Sequence, residues 1–224
     1  MPRTARASVG GLCYHVLNRG NGRQQVFFKD GDYDAFLQAI RHACNQIPMR
    51  LLAYCLMPNH FHLTLWPRED HHLGRFMHWL LNAHVRRYHQ HYHSSGHLWQ
   101  GRFKAFPIAQ DEHLLTVLRY VERNPVRANL ARRAEDWPWS STRWWPAAEV
   151  ARPVPLVRGP AARPEAWAAF VNEPLTDAEL GRVRQSVERG RPFGPEPWTQ
   201  RIARRLGLEA SLRPRGRPRK TRAD

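Results

Sequence analysis

Acidic side chains are scarce in this chain. Nineteen Asp and Glu face 35 Lys and Arg over 224 residues, a formal net charge of +16. A surplus of that size repels itself unless a polyanion neutralises it, and nucleic acid is the usual polyanion; an anionic membrane is the competing partner. Long apolar runs are missing as well: no stretch approaches the length of a membrane-spanning helix, and the opening "MPRTARASVGG" lacks the apolar core of a signal peptide. Cysteine is sparse, with only Cys13, Cys44 and Cys55 and no CxxC pair. That excludes a disulfide framework and a zinc ribbon and suits a reducing compartment. The expectation is a soluble, cytoplasmic, nucleoid-associated protein that binds nucleic acid and makes no use of a membrane.

Patterning then supplies an order of elements. Residues 12–19, "LCYHVLNR", have the aromatic and β-branched content of a strand and close on "GNGR". From Asp30, two further acids precede Phe36, Ile40, Ala43 and Ile47, spaced as one face of a helix that Pro48 stops. "MRLLAYCLM" and "HFHLTLW" read as two strands joined by "PN", a hairpin signal. A helix over 72–92 follows, with Phe76, Leu80, Ala83 and Tyr88 turned inward, then a fourth strand in "LWQGRFKAFPIA" and a third helix in "DEHLLTVLRYVERN". The order β-α-β-β-α-β predicts an α+β, ferredoxin-like (RRM-like) antiparallel sheet with helices on one face and the other face open.

Composition divides the chain into three. Residues 1–146 hold these elements, 147–164 form a Pro- and Ala-rich linker, and 165–224 form a helical, basic extension. In the extension, Thr176 and Glu179 make a capping-box pattern before a helix ending at Gly190, and a second helix ends at Gly207.

The stretch "MPNHFHLTLW" carries the first chemical signal. Alternation in a strand sends His60, His62 and Thr64 to one face and Phe61, Leu63 and Leu65 to the other. Two imidazoles on one strand face suit a divalent metal; they equally suit the wet face of a sheet in a chain with 13 histidines. The second signal is "LLTVLRYVERNPVRANL", in which Tyr120 lies beside the apolar stripe of Leu114, Leu118 and Val121 and shares a helical face with Asn124. Pro125 disfavours helical geometry at Asn124, so the helix ends or bends there.

Taken together, "MPNHFHLTLWP", "HLWQGRFKAFPI" and "LRYVERNPVRANLARRAEDWPWSS" resemble the single-tyrosine HUH transposases of the IS200-like type, and within these the REP-associated tyrosine transposases. The resemblance runs from about Gly10 to Trp145. It implies His60 and His62 as metal ligands, Tyr120 as nucleophile and Asn124 as third ligand, where relatives often carry the longer Gln or the His ring. It implies Mg²⁺ or Mn²⁺ as the ion, and as substrate single-stranded DNA that forms hairpins, such as repetitive extragenic elements. The reaction implied is cleavage and rejoining through a 5′-phosphotyrosine. A phenol ionises near pH 10 and is a weak nucleophile unaided, which is why a metal-polarised phosphate belongs to such chemistry. A catalytically idle hairpin-binding regulator and an RNA-binding module are the other functions this fold would carry.

Basic residues around these motifs are candidate backbone contacts: Arg102, Lys104, Arg119, Arg123 and Arg127, with Arg86 and Arg87 on the second helix. Trp99 and Phe103 are candidates to stack on unpaired bases and, at least equally, to pack the core. The tail "RPRGRPRK" resembles an AT-hook, with Arg215 and Arg217 able to enter the narrow minor groove of AT-rich duplex. The active form is expected to be a monomer or a homodimer.

Overall fold

The structure, a computed structural model, describes residues 8–213. Arg215, Arg217 and most of the AT-hook-like stretch lie outside the described residues. Four strands, β1 (Cys13–Arg19), β2 (Met49–Met57), β3 (His60–Pro67) and β4 (Lys104–Ile108), form one sheet in the order β2-β3-β1-β4, each neighbour antiparallel. Helices α1 (Asp30–Gln46) and α2 (His72–Tyr92) supply the two crossovers. This is the ferredoxin-like arrangement, with β1 and β3 as interior strands.

The first layer is apolar, as the periodicities predict. Phe36, Ile40, Ala43 and Ile47 of the α1 stretch are buried against Phe61, Leu63 and Leu65 of β3 and Tyr14 and Val16 of β1. In α2 the inward stripe is Phe76, Met77, Leu80 and His84; Ala83 and Tyr88 are only partly covered, so the helix is rotated slightly from the expected phase. Trp99 and Phe103 belong to this same layer, and the Trp99 ring meets Phe61 edge-on at 5.2 Å. They pack the core rather than offering a surface for bases. The fourth strand is shorter than expected because Gly101, at φ +67°, turns the chain; Trp99 keeps only an isolated bridge to Gly20.

The opposite face of the sheet is closed, contrary to expectation. Helix α3 (Glu112–Glu122) lies over it with Leu114, Val117, Leu118 and Val121, joined by Trp167 and Val171 of α5 (Trp167–Asn172), Val183 of α6 (Asp177–Arg189) and Phe193. The reason is visible in the strands, whose second face carries Cys13, Ala53, Cys55, Phe106 and Ile108, apolar surface that water would not wet favourably. Arg86 is exposed and Arg87 pairs with Asp32 at 3.6 Å, both on the α2 side of the sheet, away from that face.

The Pro- and Ala-rich stretch is laid along the fold rather than spanning open space. Val157 N–H donates to Leu51 O at 3.0 Å, Leu156 bridges Leu51, and Arg163 donates to Leu52 O at 2.7 Å. Upstream of it, Leu56 N–H donates to Trp139 O and the Trp137 indole to Leu56 O. The outer edge of β2 is therefore paired by later chain, and Phe193 does the same for β4 through bonds to Pro107 and Ala109. Beyond it, α6 has the expected capping box, and α7 (Glu196–Leu206) ends at Gly207, whose φ of +63° is left-handed.

Candidate active site

Register places the chemistry in rows across the second face. Cross-strand partners share a face, so Cys55, His62, Leu17 and Lys104 make one row and Met57, His60 and Arg19 the next, towards the β2–β3 hairpin. Imidazoles thus occupy two successive rows on the interior strand β3. His62 is buried and His60 partly so, with ring centroids 5.0 Å apart at 83°. Asn59, in the hairpin, holds His60 Nδ1 at 2.6 Å.

Helix α3 delivers Tyr120 over these rows. Its N-terminus is anchored by Asp111, which accepts from His113 N–H, and its C-terminus by Glu122. The Glu122 carboxylate is fully buried and accepts from the Ser141 hydroxyl and from the indoles of Trp145 at 2.9 Å and Trp167 at 2.6 Å. Burial pushes its pKa up. Three donors from two later segments lock the end of the helix that bears Tyr120. The Tyr120 ring meets His62 edge-on at 5.8 Å, and the guanidinium carbon of Arg127 sits 4.3 Å from the ring centre.

The helix breaks where Pro125 predicts it. α3 stops at Glu122, Arg123 has φ −82° and ψ 1°, and α4 (Asn124–Arg127) starts afresh against β2. Asn124 is buried and its Nδ2 has no hydrogen-bond partner.

Electrostatics keep the imidazoles neutral. Burial pushes His60 down to about 4, helped by the charges of Arg19 and Arg127; burial, then the neighbouring histidines and the same two arginines, holds His62 well below the usual range. Neutral rings have the free lone pair a metal requires. Two imidazoles and a carboxamide oxygen are ligand types that suit a divalent ion; the unpartnered atom of Asn124 is its Nδ2, an N–H donor, which cannot itself ligate. Among the described residues, Asp111, Glu112 and His113 are the one trio of His, Cys, Asp or Glu with ligand atoms within 4.8 Å of one another. That trio lies at the far end of α3, about 12 Å along the axis from Tyr120, where Asp111 accepts from the His113 N–H.

The expected basic contacts divide. Lys104 is exposed on the site face two strands from His62, Arg102 is exposed just before it, and Arg127 lines the tyrosine. Arg119 instead is buried, pairs with Glu179 at 2.8 Å and lies over Phe170, so it fastens α3 to α5 and α6 rather than facing DNA. Arg123 is likewise engaged, donating to Asn172 O at 3.1 Å. Two site-face residues were absent from the sequence expectation: Arg19, directly opposite His60 with a buried, unpartnered Nε, and His15. Applying the alternation of β3 to "CYHVLNR" puts both on one face, but only the register says that it is the face of His62.

Comparison with known proteins gives the family. The profile of the family described as "Transposase IS200 like" matches residues 8–124, more than half of the chain. The chain belongs to the IS200-like transposase family. Within that family, it is 30% identical over 122 residues to a protein of Haemophilus influenzae assigned to the REP-associated tyrosine transposases, covering 49% of this chain and 69% of the relative. It is 24% identical over 138 residues to the REP-associated tyrosine transposase of Escherichia coli, covering 59% and 76%. A solved REP-associated tyrosine transposase bound to a REP hairpin shares the fold, with a TM-score of 0.54 and 23% identity over 68% of this chain and 87% of that one. Transposases act on DNA and generally depend on a metal, and both general properties go with family membership. No helix among the described residues is long and apolar enough to cross a membrane.

Proposed function

We propose that this chain is a single-tyrosine, metal-dependent endonuclease and strand transferase acting on hairpin-forming single-stranded DNA. The observation that carries the reading is the approach of the Tyr120 ring to His62, on the face that also presents His60. A hairpin as substrate is motivated by the solved relative.

In this reading the Tyr120 hydroxyl oxygen attacks the scissile phosphorus. The new P–O bond to tyrosine forms as the bond to the 3′ oxygen breaks; the phenol proton passes to solvent and the departing 3′ oxygen takes one up. The product is a 5′-phosphotyrosine and a free 3′-hydroxyl, and attack by a 3′-hydroxyl reverses the step without ATP. Arg127 orients the phenol through its face and, with Arg19 and Lys104, offsets phosphate charge. His60, His62 and Asn124 would hold Mg²⁺ or Mn²⁺, which when bound polarises the phosphate. In this reading, packing of the Tyr120 ring against His15, His62 and Arg127 limits its orientations, so attack does not wait for a search among rotamers.

Incubation of the full chain with end-labelled hairpin DNA and Mn²⁺ tests this. A labelled band at protein plus oligonucleotide mass is expected on a denaturing gel, lost with Tyr120→Phe and with chelator. Undiminished adduct in Tyr120→Phe overturns the nucleophile, and equal cleavage of an RNA hairpin of the same sequence overturns the DNA substrate.

A further inference from the structure

The site face holds a third imidazole, which the proposed reaction does not use. His15 lies on β1, diagonally across from His62, and is completely buried. Its ring stacks on that of His62 at 5.0 Å and 18°, and its Nε2 is 2.9 Å from His62 Nδ1. Phe106 at 4.9 Å and the Tyr120 ring at 6.0 Å wall it in. Its own Nδ1 is buried without a partner. His62 Nδ1 is therefore taken, and Nε2 is the nitrogen left for anything bound at the site.

Two neutral imidazoles joined by one hydrogen bond have two arrangements. In the first, His62 Nδ1–H donates to His15 Nε2, and His62 Nε2 carries a lone pair. In the second, His15 Nε2–H donates to His62 Nδ1, and His62 Nε2 carries a proton where no cation can bind. We propose that His15 is a positioning residue that accepts the His62 Nδ1 proton, fixing the ring plane and the tautomer in which His62 Nε2 faces a divalent cation. Metal-bound histidines ordinarily give their second N–H to a carboxylate, carbonyl or water; here a buried imidazole takes that place, because β1 brings no carboxylate to this row. The inference rests on the metal reading above.

The test uses the full-length chain, with Mn²⁺ binding followed by loss of the free-ion electron paramagnetic resonance signal. His15→Phe keeps the ring but removes the acceptor, and a roughly 10- to 100-fold loss of Mn²⁺ affinity is expected. His15→Gln, whose side-chain oxygen can accept the same proton, should recover most of it. In the Mg²⁺-saturated wild-type chain, ¹⁵N NMR should show His62 protonated at Nδ1. Mn²⁺ binding by folded His15→Phe as tight as wild type, or His62 protonated at Nε2 with Mg²⁺ bound, overturns the inference. If His15→Phe fails to fold, the His62 tautomer and the Gln variant decide it. Failure of the wild-type chain to bind Mn²⁺ overturns the metal reading itself, a result distinct from equal binding by wild type and variant.

Discussion

The two faces of the sheet are both buried, yet they are built for different work. The α1/α2 face is filled by Phe36, Phe61, Leu63, Phe76 and their neighbours, and a buried histidine of α2, His84, sits among the rings of Phe27, Phe36 and Trp99. The α3 face has apolar walls but polar rings among them: His15 stacked on His62, and Tyr120 edge-on to both. Burial alone does not distinguish them. It pushes His84 down to about 3, and His15 down to about 3 as well. What sets the α3 face apart is that two of its imidazoles, His15 and His62, are within hydrogen-bond distance of each other with Tyr120 edge-on to both, whereas His84 packs among Phe27, Phe36, Tyr88 and Trp99. A depressed histidine pKa is thus a sign of burial first and of a site only in company.

That contrast can be broken most severely at Tyr120 and Phe61. Tyr120→Phe should abolish adduct formation, a loss of at least about 10³-fold, while leaving stability to urea within about 1 kcal/mol. Phe61→Ala, on the other face and between the two histidines in sequence, should do the reverse. It should cost roughly 3–5 kcal/mol of stability, with cleavage per folded molecule retained below the unfolding transition. If Phe61→Ala destroys cleavage in protein that remains folded, the two faces are not separable in the way their packing indicates.

His84 sharpens the comparison through pH. The unfolded chain takes up a proton near pH 6.5 that folded His84 refuses until about 3. Its contribution is therefore fully present above 6.5 and drains away as pH falls through that window. His84→Leu should flatten the fall in stability between pH 6 and 4 by about 1.4 kcal/mol per pH unit, read from urea unfolding at several pH values. An unchanged slope would mean that His84 is not held neutral by its ring neighbours. The smallest effect is expected at the open margin of the α3 face. Lys104→Ala and Arg102→Ala should each lower hairpin affinity a few-fold and reduce the slope of log K against log salt by about 0.7. Arg119→Ala should leave that slope unchanged, since its guanidinium is committed to Glu179 and Phe170.

Much of the first face was legible in residue order. Phe36, Ile40 and Ala43 lie where three- and four-residue spacing put them, and Phe61, Leu63 and Leu65 where alternation did, because those periods are properties of the isolated helix and strand. The separation of His60 and His62 from Phe61 followed from the same alternation. The second face was not legible. Its cover comes from residues far along the chain, such as Trp167, Val183 and Phe193, in stretches whose Pro, Ala and Arg content resembles a linker and a solvated extension. Arg119 illustrates the limit: beside Tyr120 in sequence it looks like a phosphate contact, and only the approach of Glu179, 60 residues later, commits it elsewhere.

The sequence by itself therefore determined the elements, their order, the two histidines on one strand face and the family motifs, all of which depend on neighbours a few residues apart. Tertiary structure alone decided that the face is closed, that Glu122 locks the helix end, and that Tyr120 and His15 both meet His62. Those outcomes depend on strand register and on which distant segment covers which apolar surface. Such choices are made by burial across the whole chain, and no local period records them.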